Sequence, residues 1–100
     1  MRVLAGILKD SLRYYQRLER QLLRRGGKLP RGSVKRRRLK GRVYYYVQER
    51  RGAKIVHRYV GRQRPAALLK AIRERRMLKR ELAKVRAALQ LIPQRKLQHD

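Results

Sequence analysis

Apolar residues recur along the first quarter of the chain at the spacing of one helical face. Six residues follow one another at alternating steps of four and three: Leu4, Leu8, Ser11, Tyr15, Leu18 and Leu22. This spacing predicts an amphipathic helix over residues 2–25, with Ile7 and Tyr14 widening its apolar stripe. We expect Gly26 and Gly27 to end the helix, because glycine accepts the left-handed cap conformation.

The middle of the chain has the composition of short strands separated by glycine turns. Runs rich in β-branched and aromatic residues cover residues 33–39, 42–50 and 53–60. Lys40-Gly41 and Arg51-Gly52 lie between them, and each pair is typical of a two-residue hairpin turn. The pattern predicts a three-stranded antiparallel meander, which needs a covering helix to be stable.

A second helical pattern begins at Pro65 and continues to about Ile92, where Pro93 closes it. Eight residues form its apolar stripe: Leu68, Ala71, Ile72, Leu78, Leu82, Val85, Leu89 and Ile92. From Leu78 onwards the spacing resembles a coiled-coil seam. We expect the two helices to pair with each other within the chain, and pairing with a second copy is the alternative.

These elements predict an α+β fold: an N-terminal helix, a three-stranded antiparallel β-meander and a long C-terminal helix. The predicted segments are an amphipathic helix at 1–27, a basic sheet at 28–62, a long amphipathic helix at 63–93 and a tail at 94–100. One hundred residues make one small domain.

The turns also predict which strand residues share a face. With residues 51 and 52 as a turn, Val47 opposes Val56 and Tyr44 opposes Tyr59. An aliphatic face then carries Val43, Tyr45, Val47, Val56 and Val60, joined by Arg36 and Arg38. An aromatic face carries Tyr44, Tyr46, His57 and Tyr59, joined by Lys35 and Arg37. We expect the helices to cover the aliphatic face, which leaves the aromatic face free.

The charge balance of the chain indicates the class of its partner. The chain holds 31 basic and 6 acidic residues, a formal net charge of +25. Such an excess indicates a polyanionic partner: DNA, RNA or an anionic membrane. Arginine outnumbers lysine, 22 to 9, and because guanidinium binds phosphate through two parallel hydrogen bonds, nucleic acid is favoured. Residues 31–64 alone hold 13 basic side chains and one acid.

Tyrosine beside arginine and lysine suits nucleic acid, since rings stack on bases while cations hold the phosphates. The predicted binding residues lie in the sheet and its turns: Lys35, Arg36, Arg37, Arg38, Lys40, Arg42, Tyr44, Tyr46, Arg50, Arg51, Lys54 and Arg58. The alternative for the tyrosines is ordinary cross-strand packing. Basic residues of the second helix are secondary candidates: Lys70, Arg73, Arg76, Lys79, Arg80 and Lys84.

The sequence offers few residues that could bind a metal ion, catalyse a reaction or anchor the chain to a membrane. There is no cysteine, and the two histidines, His57 and His99, lie far apart, so we expect no metal site and no cofactor. The six acids are scattered, whereas metal-dependent nucleases need converging carboxylates, so we predict no catalytic residues and no small-molecule substrate. A membrane surface ranks third, because the basic first helix lacks Trp and Phe.

The segment "LPRGSVKRRRLKGRVYYYVQERRGAKIVHRYVG" and the helix after it resemble a family of short, basic, uncharacterised prokaryotic proteins. The resemblance rests on Gly32, Ser33, Tyr44, Tyr45, Tyr46, Gly52, Tyr59 and Val60. The segment is also similar to N-terminal segments of insertion-sequence transposases and to arm-type DNA-binding domains of tyrosine recombinases. The resemblance implies nucleic-acid binding linked to mobile DNA. Several relatives carry a cysteine-rich insert between the first two strands, where this chain has only Lys40-Gly41.

The sequence thus favours a non-enzymatic DNA-binding protein that uses a basic, tyrosine-bearing sheet. Two alternatives stay open: an RNA-binding or ribosome-associated protein, and a module that joins a larger complex or a homodimer through its long helices. We expect a cytoplasmic protein associated with the nucleoid or the ribosome, since no secretory signal or membrane span is recognisable.

Overall fold

A computed structural model describes residues 2–93 and places one helix before and one helix after a three-stranded sheet. The elements are α1 (Arg2–Gly27), β1 (Ser33–Leu39), β2 (Arg42–Arg51), β3 (Lys54–Gly61) and α2 (Ala66–Leu91). The predicted α+β class and the predicted order of elements are confirmed. The tail predicted at 94–100 lies outside the described residues.

Contacts divide the chain into two compact units. The sheet unit is Leu29–Arg76 and contains the three strands and the first half of α2. The helical unit contains α1 and the second half of α2, from Met77 onwards. Each half of α2 therefore contributes to the core of a different unit, which explains why this helix is longer than a small sheet needs.

The core of the helical unit is built by leucine and valine side chains from both helices. Leu12 and Leu22 of α1 are buried, and so are Leu78, Val85 and Leu89 of α2. Burying such a side chain contributes about 1.5–3 kcal/mol each. The Arg86 Nε also donates to a Glu19 carboxylate oxygen at 3.0 Å, which joins the two helices. The helices thus find partners within one chain.

The two predicted apolar stripes differ in how well they match the structure. Every residue of the predicted α2 stripe is buried or half-buried. In α1, by contrast, Leu12 is buried although the predicted stripe omits it, and Leu4, Ile7 and Tyr14 are exposed. α1 carries two overlapping apolar stripes, and periodicity alone does not tell which one meets the partner helix.

The end of α1 also differs from the prediction. The helix includes Gly26 and Gly27, and neither has a positive φ. Instead, the Lys28 N–H approaches the Arg25 carbonyl oxygen at 3.4 Å, a bond over three residues that tightens the last turn. The left-handed glycine cap predicted here was wrong.

The sheet has the strand order β1-β2-β3, with both pairs antiparallel. In the first hairpin Lys35 pairs with Tyr46 and Arg37 with Tyr44, as the turn at residues 40 and 41 predicts. Lys40 has φ 50° and Gly41 has φ 77°. Two consecutive positive φ values mark a type I′ turn, whose twist suits antiparallel strands.

In the second hairpin the predicted register was wrong by two residues. Tyr46 pairs with Tyr59, and Val47 pairs with Arg58. The loop is Gly52-Ala53 rather than Arg51-Gly52, because Gly52 with φ 62° takes the first central position of the turn. That arrangement is typical of a type II′ turn, in which only the glycine needs a positive φ. Since the shift is even, the residues of β3 up to Tyr59 keep their predicted faces.

An irregularity between Tyr45 and Tyr46 ends the regular ladder: Tyr46 pairs with Tyr59, whereas Tyr45 pairs with Gly61. Val60 therefore has no partner on β2, and its predicted pairing with Val43 was wrong. An extra residue of this kind is a β-bulge, which increases the local twist of a sheet.

The core of the sheet unit is small. Val47 on the aliphatic face is 3% exposed, and Ile72 in the first half of α2 is 4% exposed. Arg75 and Arg76 of the same helix donate to the carbonyl oxygens of Leu29 and Gly32, at 2.9 and 3.2 Å. These bonds fix the helix to the chain that enters β1.

Candidate nucleic-acid interface

Three tyrosine rings form a continuous patch on the aromatic face. The Tyr59 ring centroid lies 5.5 Å from that of Tyr46 and 6.2 Å from that of Tyr44. The second pair is edge-to-face, with 72° between the ring planes, which is a favourable arrangement for aromatic rings. Tyr59 thus connects the two tyrosines of β2 across the strand boundary, and it remains 48% exposed.

Basic side chains surround this patch. The Arg37 guanidinium carbon lies 5.5 Å from the Tyr46 ring centroid, within the range of a cation–π interaction. Lys35 is the cross-strand partner of Tyr46 on β1. Strand alternation puts Arg42 and Arg50, near the two ends of β2, on the same face. Arg50 donates from Nε to the Gly52 carbonyl oxygen at 3.3 Å.

Acidic side chains are absent from the aromatic face of the sheet. The strands and their turns contain one acid, Glu49. It is the cross-strand partner of Val56 on the aliphatic face, where a carboxylate oxygen lies 3.6 Å from Arg51. The exposed cations around the tyrosines therefore have no carboxylate beside them on that face, and they produce a uniformly positive surface.

The twelve predicted binding residues do not all lie on this surface. Six lie on the aromatic face: Lys35, Arg37, Arg42, Tyr44, Tyr46 and Arg50. Five lie on the aliphatic face: Arg36, Arg38, Arg51, Lys54 and Arg58. Lys40 occupies the first turn. The predicted residues share one segment of the chain, but the strand pleat divides them between two faces.

Tyr59 is missing from the predicted binding residues although it lies at the centre of the patch. The sequence did indicate its position, because strand alternation puts Tyr59 on the aromatic face with Tyr44 and Tyr46. The predicted register put Tyr59 opposite Tyr44, and the structure puts it opposite Tyr46, so either register brings it beside a predicted binding residue. His57 and Gln48 pair beside these rings and extend the same face with polar groups.

Two of the secondary candidates on α2 have partners within the protein. Arg76 donates to the Gly32 carbonyl oxygen, and the Lys84 ammonium lies 3.5 Å from Glu81. The ion pair is exposed, with about 0–1 kcal/mol as the usual contribution of such pairs. Arg76 therefore supports the fold of the sheet unit.

Residues 2–93 hold no group of three or more His, Asp or Glu side chains arranged to bind a metal ion. Within the same range, neither helix is long and apolar enough to cross a bilayer.

In comparisons with protein-family models, curated proteins and solved structures, none matches this chain. The resemblance to a family of short, basic proteins and the link to mobile DNA that it implies stay predictions.

Proposed function

We propose that the protein binds nucleic acid without catalysing a reaction, and that DNA is its polymer. The binding surface is the aromatic face with the two hairpin turns. One observation carries this proposal: three adjoining tyrosines lie among four cations on a face that has no acid, while the single acid of the sheet points the other way. A surface that served only solubility would intersperse charges of both signs.

Phosphate recognition supplies most of the proposed affinity. Arg37, Arg42 and Arg50 present planar forks of N–H donors that match phosphate oxygens, and Lys35 adds a point charge. Each phosphate that is neutralised releases condensed counterions, so log K should fall with log salt at a slope of about −0.9 per contact on B-DNA.

The dimensions of the sheet favour duplex DNA. Neighbouring strands lie about 4.8 Å apart, so two of them together span about 10 Å. The major groove of B-DNA is about 12 Å wide and admits a two-stranded β-ribbon, so two neighbouring strands of this sheet fit into it. A-form RNA has a deep, narrow major groove that excludes such an element. A link to mobile DNA would follow from the resemblance alone.

Single-stranded RNA or DNA is the second candidate, and the tyrosine patch favours it. Tyr59 and its two neighbours offer exposed ring surface, and base stacking on an aromatic ring contributes about 1–3 kcal/mol per base. An RNA-binding or ribosome-associated role would use this stacking.

Titration of four ligands of equal length separates these candidates. Fluorescence anisotropy would measure Kd for duplex DNA, single-stranded DNA, duplex RNA and single-stranded RNA at several salt concentrations. We expect the tightest binding to duplex DNA and weak binding to duplex RNA. Tighter binding to both single strands would instead assign the face to stacking, and no binding in dilute buffer would refute the proposal.

A third role, assembly through the helices, is suggested by the exposed apolar side chains at the start of α1. Val3 is 76% exposed, and Leu4 and Ile7 are more than half exposed. Leu89 belongs to the core of the helical unit, so its substitution would unfold the protein rather than test assembly. Leu4→Gln with Ile7→Gln is the better test: a homodimer held by this surface would dissociate in light-scattering measurements.

A further inference from the structure

The cations of the sheet lie on both of its faces. On the aromatic face they are Lys35, Arg37, Arg42 and Arg50. On the aliphatic face Arg51 lies beside Glu49, and four further cations remain: Arg36, Arg38, Lys54 and Arg58. The four cations of the aromatic face and these four are all exposed. A sheet that met one polymer on one face would need only half of them.

The cations of the aliphatic face surround a buried centre. Val47, the most buried residue of the sheet, is flanked by Val34 on β1 and Arg58 on β3. Arg36 and Arg38 lie towards the first turn, and Lys54 lies at the second turn. In the described part of the chain no hydrogen bond or ion pair engages these four side chains. The fold leaves them available at the margins of the buried centre.

Side chains on the two faces of a sheet point in opposite directions. A duplex that contacts Lys35, Arg37 and Arg42 therefore leaves Arg36, Arg38 and Arg58 directed away from it. We infer that the sheet holds two duplex segments at once, one on each face, and so bridges DNA. This inference rests on the proposed function.

The electrostatics are consistent with two polymers on one small sheet. Each phosphate contact releases counterions, whichever duplex supplies it. Two duplexes on opposite faces are kept apart by the sheet, and the cations between them offset their mutual repulsion. The competing arrangement is a single duplex whose groove walls reach both faces, since the major groove is about 8.5 Å deep.

Two variants of equal charge separate these arrangements. The aliphatic-face variant carries Arg36→Gln, Arg38→Gln and Arg58→Gln. The aromatic-face variant carries Lys35→Gln, Arg37→Gln and Arg42→Gln. Each removes three exposed cations, and circular dichroism would confirm that both fold. Binding to one duplex is measured by anisotropy, and bridging is measured as capture of a labelled duplex by a second duplex fixed on beads.

We expect the native protein to capture the labelled duplex. The aliphatic-face variant should keep its single-duplex affinity within about threefold and keep its salt slope, yet capture at least about tenfold less DNA. Capture equal to that of the native protein would overturn the inference. A salt slope flattened by about 2.7, the value for three contacts, would also overturn it, because one duplex would then occupy both faces.

Two controls distinguish bridging by one sheet from simple binding and from bridging by a dimer. A native protein that binds one duplex but captures none refutes bridging and leaves the proposed function intact, whereas no binding at all refutes both. Capture that disappears in the Leu4→Gln, Ile7→Gln variant, with light scattering showing a native dimer, would assign bridging to two copies and overturn the inference. Capture that persists in this variant supports bridging by one sheet.

Discussion

Tyr46 and Val47 are neighbours on β2, yet their side chains lie on opposite faces of the sheet. Val47 points to the aliphatic face and is 3% exposed. Tyr46 points to the aromatic face, where its ring meets Tyr59 and the guanidinium of Arg37. The pleat of one strand thus separates the side chain that stabilises the fold from the ring that we propose contacts nucleic acid.

Both faces of the sheet carry exposed cations, but only one of them carries an acid. Glu49 joins Val47 on the aliphatic face and lies beside Arg51, whereas the aromatic face carries cations only. The comparison teaches that alternate residues of β2 have different roles: Val47 stabilises the fold, whereas Tyr46 lies on the surface that we propose binds nucleic acid. Substitutions on the two faces should therefore change different measured quantities.

The largest effect is expected from Val47→Asp. It places an unpaired carboxylate at the most buried position of the sheet, and the cost should exceed about 4 kcal/mol in the free energy of unfolding. Val56→Asp is the matched control, because Val56 lies on the same face but is 37% exposed; with the repulsion from Glu49 across the strands included, it should cost about 1–2 kcal/mol. Urea unfolding followed by circular dichroism measures both, and similar losses would contradict the assignment of Val47 as the core.

A smaller loss is expected from Gly32→Ala. Gly32 has φ 104°, and an added Cβ would lie 2.6 Å from the Gln48 carbonyl oxygen. Because that oxygen belongs to the backbone of β2, it moves only with the strand, and the substitution should cost about 2–3 kcal/mol.

Gly41→Ala is the matched control for this position. Gly41 also has a positive φ, but nothing lies within 4 Å of its added Cβ, so only the backbone strain of about 1 kcal/mol applies. Equal unfolding free energies for the two variants would show that the chain entering β1 is not tightly packed against β2.

Tyr46→Ala tests the aromatic face. If the ring stacks on bases, the binding free energy for single strands should weaken by about 1–2 kcal/mol. The binding free energy for duplex DNA should weaken by less. Tyr45→Ala provides the comparison, since Tyr45 lies on the aliphatic face, and it should leave single-strand affinity unchanged. Equal losses for both ligands with Tyr46→Ala, accompanied by lower stability, would assign the ring to packing.

The smallest effect is expected from Glu49→Gln. This change frees Arg51 on the aliphatic face and removes the single acid of the sheet, so duplex affinity should rise by about twofold or less. An increase above tenfold would mean that Glu49 repels a phosphate directly, and that the aliphatic face rather than the aromatic face is the tighter binding surface.

Much of the fold was predictable because local chemistry specifies it. The Lys40-Gly41 turn set the register of β1 against β2, and the apolar stripe of α2 was correct at every position. The second turn was ambiguous, because Gly52 fits either central position of a two-residue loop. The structure has a type II′ turn, with Gly52 at the first central position. The residue pattern alone does not distinguish between the two positions.

The candidate site was predictable in composition but not in arrangement. Alternation assigned Tyr44 and Tyr46 to one face, and this survived the register error because the shift was even. The central place of Tyr59, by contrast, depends on the pairing of β2 with β3 and on ring orientation. Likewise, sequence alone could not show that Arg76 donates a hydrogen bond to the Gly32 carbonyl oxygen.

The most direct test of the central claim is the salt dependence of duplex DNA binding. The aromatic-face variant (Lys35→Gln, Arg37→Gln, Arg42→Gln) would be compared with a control that removes three cations from α1, Arg13→Gln, Arg17→Gln and Arg24→Gln, all of them exposed. We expect the aromatic-face variant to lose up to about 2.7 from the slope of log K against log salt, and the control to keep the native slope. Equal slopes for the two variants would contradict the assignment of the aromatic face as the surface that binds phosphate.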